Sequence, residues 1–151
     1  MGRGYFGIAL EATKTEANYG TLLRTAYNFG AAFVILIGQR FTNHASNTTE
    51  AHRHIPLYEY KDADDFWTHI PYDCTPIAVE ITKSSRSLVD FLHPQRALYI
   101  LGREDGSLSK QILDHCSVTL EIPSRQCLNL AVAGAIVMYD RCTKQIRAKG
   151  G

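Results

Sequence analysis

Short apolar runs alternate with segments of helical periodicity along most of this chain, and the alternation strongly limits its possible folds. Residues 31–37 form an uninterrupted apolar run, and residues 96–101 are apolar after the first position. A strand covered on both faces by helices has this pattern, whereas a half-exposed strand alternates polar and apolar residues. The sequence therefore predicts an α/β fold, with a mostly parallel sheet and helices on both faces.

The boundaries of the individual elements follow from apolar runs, capping residues and glycines. The first helix has two possible starts, a capping box at Thr13 and an N-cap at Asn18, and it ends before Gly30. The segment 38–51 is polar and predicts a loop, and 83–87 is a second polar stretch. Strands are predicted at 5–10, 31–37, 57–60, 76–81, 96–101 and 118–122, and further helices at 62–69, 108–115 and 128–147.

The last predicted helix is apolar around almost its whole circumference over its first three turns. A helix of this kind is buried on two sides. In a chain of 151 residues, one side is expected to face the sheet and the other a second copy of the chain. We therefore predict a homodimer, with a monomer that buries this helix more fully as the alternative. The apolar positions are Leu128, Leu130, Val132, Ala133, Ile136, Val137 and Met138.

Composition restricts the class of protein. A length of 151 residues predicts a single domain over 1–151. With 16 basic and 15 acidic residues, charge alone gives no argument for nucleic-acid binding. The four cysteines, at 74, 116, 127 and 142, lack C-x-x-C spacing, so we expect neither a metal site nor a redox dithiol. No apolar run is long enough to span a membrane, and we predict a cytoplasmic protein.

The first candidate site segment contains Asn18, Gly20 and Arg24. Such an arginine is usually a solvated surface residue. Here, however, it lies one turn into a helix whose first N–H groups have no intrahelical partner. A guanidinium in this position can reach back over the helix start to bind a phosphate or stabilise an oxyanion.

Two further segments follow predicted strands, where open α/β sheets bind ligands. In the first, Gly102 and Gly106 allow the main chain to approach a ligand, and Glu104 between them can accept hydrogen bonds. In the second, Cys127 precedes Asn129 at the start of the last helix. Asn129 is either a helix cap or an amide facing the same cleft as Glu104. Cys127 fits a small apolar role better than that of a nucleophile.

These three segments, in this order, resemble the motifs of the SPOUT superfamily, in particular its TrmH/SpoU-like branch of RNA ribose 2′-O-methyltransferases. Asn18, Gly20 and Arg24 match N-x-G-x-x-x-R. The loop with Gly102, Glu104 and Gly106 resembles the second motif. The third motif is I-P followed by a short loop, S-L-N and a small-residue helix, and it resembles 122–135. Cys127 replaces the usual serine, so a hydroxyl contact is exchanged for a weaker S–H donor.

The resemblance implies a C-terminal deep trefoil knot that holds S-adenosylmethionine mainly through backbone groups. It also implies a dimer whose active sites are completed by the partner. The cofactor contacts would be made by Glu80, Gly102, Ile122, Cys127 and Leu128, and the catalytic set would be Arg24, Asn18, Glu104 and Asn129.

The reaction implied is methyl transfer to a ribose 2′-hydroxyl, with tRNA, in particular its wobble position, as the favoured substrate. Four alternatives remain open at this point. They are an rRNA 2′-O-methyltransferase, a non-catalytic RNA- or cofactor-binding protein with the same fold, a base methyltransferase, and a plain nucleotide-binding α/β module. The last lacks both a P-loop and a G-x-G-x-x-G segment.

Overall fold

Seven parallel strands form one sheet in the computed structural model. The structure describes residues 4–11, 16–38, 54–71, 73–102 and 107–149, and of 16–18 and 149 only the backbone. The strand order is β3-β2-β1-β6-β4-β7-β5, which places β6 at the centre between β1 and β4. The strands are β1 (Tyr5–Glu11), β2 (Phe33–Ile37), β3 (Leu57–Tyr60), β4 (Thr75–Val79), β5 (Arg86–Ser87), β6 (Arg96–Leu101) and β7 (Val118–Glu121).

The described residues contain four α-helices, and these cover both faces of the sheet. Leu22 of the first helix and Val137 of the last belong to one buried cluster with Ile8. Phe66 and Ile112 of the two middle helices belong to a second cluster on the opposite face. The helices are α1 (Glu16–Asn28), α2 (Ala63–His69), α3 (Lys110–Leu113) and α4 (Leu130–Lys149), and a 3-10 turn covers Leu88–Asp90.

The predicted end of α1 at Gly30 is confirmed, and the backbone shows why glycine is needed there. Gly30 has a φ of +80°, in the left-handed region that side chains with a Cβ rarely adopt. Its N–H donates to the carbonyl of Tyr27, and that of Ala31 donates to the carbonyl of Ala26. This pair of bonds is the Schellman arrangement, which satisfies carbonyls that the helix end would leave unpaired.

Several predicted boundaries differ from the structure. Asn18 lies inside α1, which already includes Glu16, so it is not the N-cap. The helix predicted over 108–115 covers only Lys110–Leu113, and the last helix begins at Leu130 rather than at 128. The polar stretch 83–87 contains the short strand β5, which pairs with β7 at the edge of the described sheet.

A buried polar network anchors α4 at the amino edge of the sheet. Arg141 is only 1% exposed, and its guanidinium donates to the carbonyls of Pro94 and Gln95, at 2.7 and 2.8 Å. Three turns of helix separate this anchor from the start of α4 at Leu130, which lies near the carboxyl edge. Nearby, the Lys144 ammonium donates to the carbonyls of Leu88 and Phe91. Both contacts tie the last helix to the segment that precedes the central strand.

No helix within the described parts of the chain combines the length and apolar character needed to cross a bilayer.

Candidate functional site

The neighbouring strands β4 and β7 end at a cleft on the carboxyl edge of the sheet. Ligands of open parallel sheets bind at this edge, because the loops that follow the strands converge there. Three segments line the cleft: the end of β4 with the residues after it, the loop between β7 and α4, and the first turn of α4. The lining residues are Val79, Glu80, Ile81, Ile122, Ser124, Cys127, Leu128 and Ala133.

Four of the five predicted cofactor residues lie together in this cleft: Glu80, Ile122, Cys127 and Leu128. Glu80 is held by the sheet, since its N–H donates to the carbonyl of Leu120 at 2.9 Å and so continues the pairing of β4 with β7. The walls are largely apolar, and they include the Glu80 carboxylate and the Cys127 thiol. The structure thus brings these residues together, and their contact with a cofactor stays a prediction.

The fifth residue, Gly102, lies at the end of β6 and is buried. A Cβ added to it would lie 3.0 Å from the backbone carbonyl carbon and oxygen of Ser107, so only glycine fits here without displacing the main chain. Leu108, which follows Ser107, connects the backbone around Gly102 to the cleft. Its N–H donates to Oε1 of Glu80 at 3.1 Å.

Another carboxylate, that of Glu11, lies at the same edge and is buried, with 6% of its surface exposed. Its Oε1 accepts from the Ser109 N–H at 2.7 Å, and its Oε2 accepts from the Ser109 hydroxyl at 2.5 Å. Burial and, as the smaller cause, the charge of Glu11 together raise the pKa of the nearby Cys116 thiol to about 12. Cys116 is therefore a poor source of thiolate.

Of the four predicted catalytic residues, the structure describes the side chains of Arg24 and Asn129. Arg24 is exposed on α1, between buried neighbours that pack against the core. Asn129 caps α4, because its Oδ1 accepts from the N–H groups of Ala131 and Val132 at 2.9 and 3.3 Å. The interpretation of Asn129 as a helix cap is thus correct, and its amide oxygen faces the first N–H groups of α4. The side chain of Asn18 and the whole of Glu104 lie outside the described residues, so the convergence of the four stays a prediction.

Sequence reasoning missed Glu11 and its partner Ser109, as well as Ser124 and Ala133 in the cleft wall. One signal pointed to Glu11: it is a carboxylate that directly follows an apolar strand, at the edge where ligands bind. Its partner carried no such signal, because Glu11 and Ser109 are 98 residues apart in the chain.

Comparison with known proteins identifies the family. The chain matches the SpoU rRNA Methylase family over residues 5–139. It is 27% identical over 141 residues to the tRNA (guanosine(18)-2′-O)-methyltransferase TARBP1 of Mus musculus, covering 85% of this chain and 9% of the relative. It is 28% identical over 144 residues to an uncharacterized tRNA/rRNA methyltransferase of Archaeoglobus fulgidus, covering 90% and 63%.

Solved structures share the fold. The SpoU methyltransferase AviRb of Streptomyces viridochromogenes, in complex with AdoMet, has a TM-score of 0.84 at 20% identity, covering 97% of this chain and 63% of that one. A structure describing 2-OH methylation of C/U34 on tRNA has a TM-score of 0.83 at 21% identity, covering 96% and 99%.

The protein belongs to the SpoU rRNA methylase family, which the three motifs predicted. Its chain spans less than two thirds of the length of either curated relative. The cofactor prediction is confirmed at the level of the family, whose members use S-adenosylmethionine and include structures that hold it.

Proposed function

We propose that this protein transfers a methyl group from S-adenosylmethionine to a ribose 2′-hydroxyl of RNA, with tRNA as the favoured substrate. The observation that carries the proposal is the meeting of Glu80, Ile122, Cys127 and Leu128 in one cleft at the carboxyl edge. Family membership supports methyl transfer to RNA. The choice of a ribose hydroxyl and of tRNA is supported by the 2′-O-methylation of tRNA in the name of the mouse relative and by the 2-OH methylation of tRNA in that of the C/U34 structure.

The cleft has the chemistry that the cofactor needs. Its apolar walls, including Ile122 and Leu128, suit an adenine ring, and the Glu80 carboxylate suits a hydrogen-bond donor. When bound, S-adenosylmethionine supplies an electrophilic methyl group on a sulfonium. Residues 79–81, Gly102 and 122–128 would hold it.

Arg24 would act on the RNA. A ribose hydroxyl is a poor nucleophile until its proton leaves, so a cation beside the oxygen favours attack by stabilising the forming alkoxide. A guanidinium also binds phosphate through two parallel hydrogen bonds, which would hold the nucleotide in position. Asn18 and Asn129 would orient the ribose, and Glu104 would position Arg24 or the substrate.

The decisive assay is transfer of labelled methyl groups to separated tRNA and rRNA pools, followed by mapping of the modified ribose. We expect Arg24→Ala to lower transfer by roughly 10²-fold or more while S-adenosylmethionine affinity, measured by calorimetry, is retained. Arg96→Ala is the matched control, because Arg96 is an exposed arginine at the opposite, amino edge of the sheet. Loss of cofactor affinity in Arg24→Ala would contradict its role. Cofactor binding without transfer to either pool would favour a non-catalytic binding protein.

We further propose that the protein is a homodimer that pairs through α4. One face of this helix exposes Val132, Ile136 and Tyr139, by 48%, 36% and 60% of their surfaces. Their i, i+4, i+7 spacing forms a continuous apolar stripe, which a symmetric partner would cover. We expect Ile136→Glu to shift the protein to a monomer in sedimentation. A variant that remains fully dimeric would contradict this interface.

We also propose that residues 1–151 form one methyltransferase domain with a C-terminal trefoil knot, in which the segment 122–129 passes through the loop 81–95. The nearly complete mutual coverage of this chain and the C/U34 structure supports a one-domain unit. The position of β7 between β4 and β5 supports the passage, because β5 belongs to that loop and the segment 122–129 directly follows β7. We expect a cytoplasmic location, where RNA substrates are available.

A further inference from the structure

Two acidic side chains hold adjacent backbone amides at the carboxyl edge of the sheet. Glu11 ends β1, and Glu80 directly follows β4, the two strands that flank the central β6. Glu80 accepts from the N–H of Leu108 at 3.1 Å, and Glu11 accepts from the N–H of Ser109 at 2.7 Å. Leu108 and Ser109 are therefore bound from both sides, by carboxylates at the carboxyl ends of the two strands that neighbour β6.

The hydrogen bond between Glu11 and the Ser109 hydroxyl replaces the helix-capping bond that a serine in this position would usually make. Ser109 occupies the N-cap position of α3, where a serine side chain normally accepts from a backbone N–H of the first turn. Here the side chain makes no capping bond, and its hydroxyl donates to Oε2 of Glu11 at 2.5 Å. Both oxygens of a buried carboxylate thus bind donors of one residue, which offsets the cost of burying the charge.

The two bonds also constrain the backbone beside the cleft. Ser107 packs so closely on Gly102 that a Cβ on the glycine would lie 3.0 Å from its carbonyl group. Holding Leu108 and Ser109 therefore holds Ser107 and, through it, the end of β6 at Gly102. Of the two carboxylates, only that of Glu80 belongs to the cleft wall, whereas Glu11 and Ser109 lie beside a separate cavity.

We propose that Glu11 and Glu80 are positioning residues for cofactor binding, because together they fix Leu108 and Ser109 and thereby keep the Gly102 backbone at the cleft. Glu11 acts at a distance, through Ser109, without touching the ligand. This inference rests on the proposed function, since it assigns a role in binding S-adenosylmethionine.

The test compares two substitutions of Glu11 by calorimetry with S-adenosylmethionine. Glu11→Ala removes both acceptors, and we expect the dissociation constant to rise about 10-fold, or about 1.4 kcal/mol. Glu11→Gln keeps the bonding pattern, because its amide oxygen can accept from the Ser109 N–H while its NH₂ donates to the hydroxyl. We expect this variant to stay within about 3-fold of the wild type. Amide hydrogen exchange at Leu108 and Ser109 should accelerate in Glu11→Ala and stay unchanged in Glu11→Gln.

Phe66→Leu controls for general loss of stability. Phe66 is fully buried in α2 and belongs to the same core cluster as Leu108. Its replacement by leucine should destabilise the protein without removing either carboxylate bond. We expect its cofactor affinity to equal that of the wild type. An equal loss of affinity in Phe66→Leu and Glu11→Ala would overturn the proposal, since the effect would then be one of stability.

The remaining outcomes separate this inference from the proposed function. A wild-type protein that binds no S-adenosylmethionine refutes the proposed function, and the positioning role with it. Normal binding by both wild type and Glu11→Ala refutes only the positioning role, as does a Gln variant as weak as the Ala variant. Should Glu11→Ala not fold, Ser109→Ala carries the test by removing the hydroxyl donor alone. Unchanged affinity and unchanged amide exchange in that variant would also overturn the inference.

Discussion

Arg141 donates a hydrogen bond to the phenol of Tyr99, with 3.1 Å between Nη1 and Oη, in the interior of the protein. The phenol lies 2.6 Å from Nδ1 of His93, whose Nε2 lies 2.7 Å from a carboxylate oxygen of Asp140. A neutral His93 protonated on Nε2 completes this chain, because Tyr99 then donates to Nδ1 and His93 donates to Asp140. The chain links α4 to the central strand.

Arg141→Met should destabilise the protein by about 3 kcal/mol or more, because it leaves the carbonyls of Pro94 and Gln95 without their charged donor. Urea unfolding measures the change. The matched control is Arg96→Met, which breaks an exposed pair with Asp73 (3.3 Å) and should cost less than about 1 kcal/mol. Similar losses for the two variants would show that the buried network contributes little.

The stability of the protein should fall as the pH drops below about 6.5, and His93 should account for part of the loss. Burial lowers the pKa of His93 from its usual 6.5, although Asp140 opposes this shift. Above that pH, His93 is neutral in both states. Below it, the unfolded chain takes up a proton first, so stability is lost until the pH has passed the lowered folded-state pKa.

Urea unfolding at pH 7.5 and 5.5 tests this, with His93→Gln as the comparison. The variant should lose less stability than the wild type between the two pH values, since groups other than His93 titrate in both proteins. Equal losses would assign the pH dependence to those other groups.

Cys127 should be the cysteine most readily alkylated by iodoacetamide, and S-adenosylhomocysteine should protect it. Cys127 is exposed in the cleft, whereas burial raises the pKa of the thiols of Cys74, Cys116 and Cys142. Mass spectrometry after timed labelling reads out each site. Cys127→Ser should lose the rapid labelling and still bind the ligand. Labelling of Cys127 that is indifferent to the ligand would place the cofactor elsewhere.

Gly134→Val should destabilise the contact between α4 and α1. A Cβ at Gly134 would lie 2.5 Å from Cδ1 of Leu22 and 3.0 Å from Cδ1 of Leu101, and both leucines are buried. We expect a loss of about 1–3 kcal/mol from overpacking. Adding Leu22→Val should recover part of it, because the smaller side chain makes room. Strictly additive losses in the double variant would contradict direct contact as the cause.

The sequence was most informative where one local interaction decides the structure. The central strand at 96–101 was predicted with both its boundaries, because a strand buried on both faces leaves an unbroken apolar run. The helix predicted from residue 62 is also found, because Asp62 caps it by accepting from the N–H of Asp65. By contrast, β5 is polar and two residues long, and only its pairing with β7 makes it a strand.

The candidate site also contains residues that the sequence predicted and residues that depend on the tertiary arrangement of the strands. Glu80, Ile122 and Cys127 were predicted from the resemblance of the motifs to the SPOUT superfamily, and the structure brings them together in one cleft. The bond of Glu11 to Ser109 was not predictable, since it depends on which strand neighbours the central one, and strand order leaves no local trace in the sequence.

The order of the strands also bears on how fast the chain reaches this structure. Register pairs Tyr5 with Arg96 across β1 and β6, and Ile77 with Val118 across β4 and β7. Such distant partners must meet before their contacts offset the entropy of closing long loops. The described strands all pair in parallel, so no hairpin among them offers a local nucleus. We therefore expect refolding from denaturant on the time scale of seconds or slower, with exposed intermediates that aggregate as the protein concentration rises.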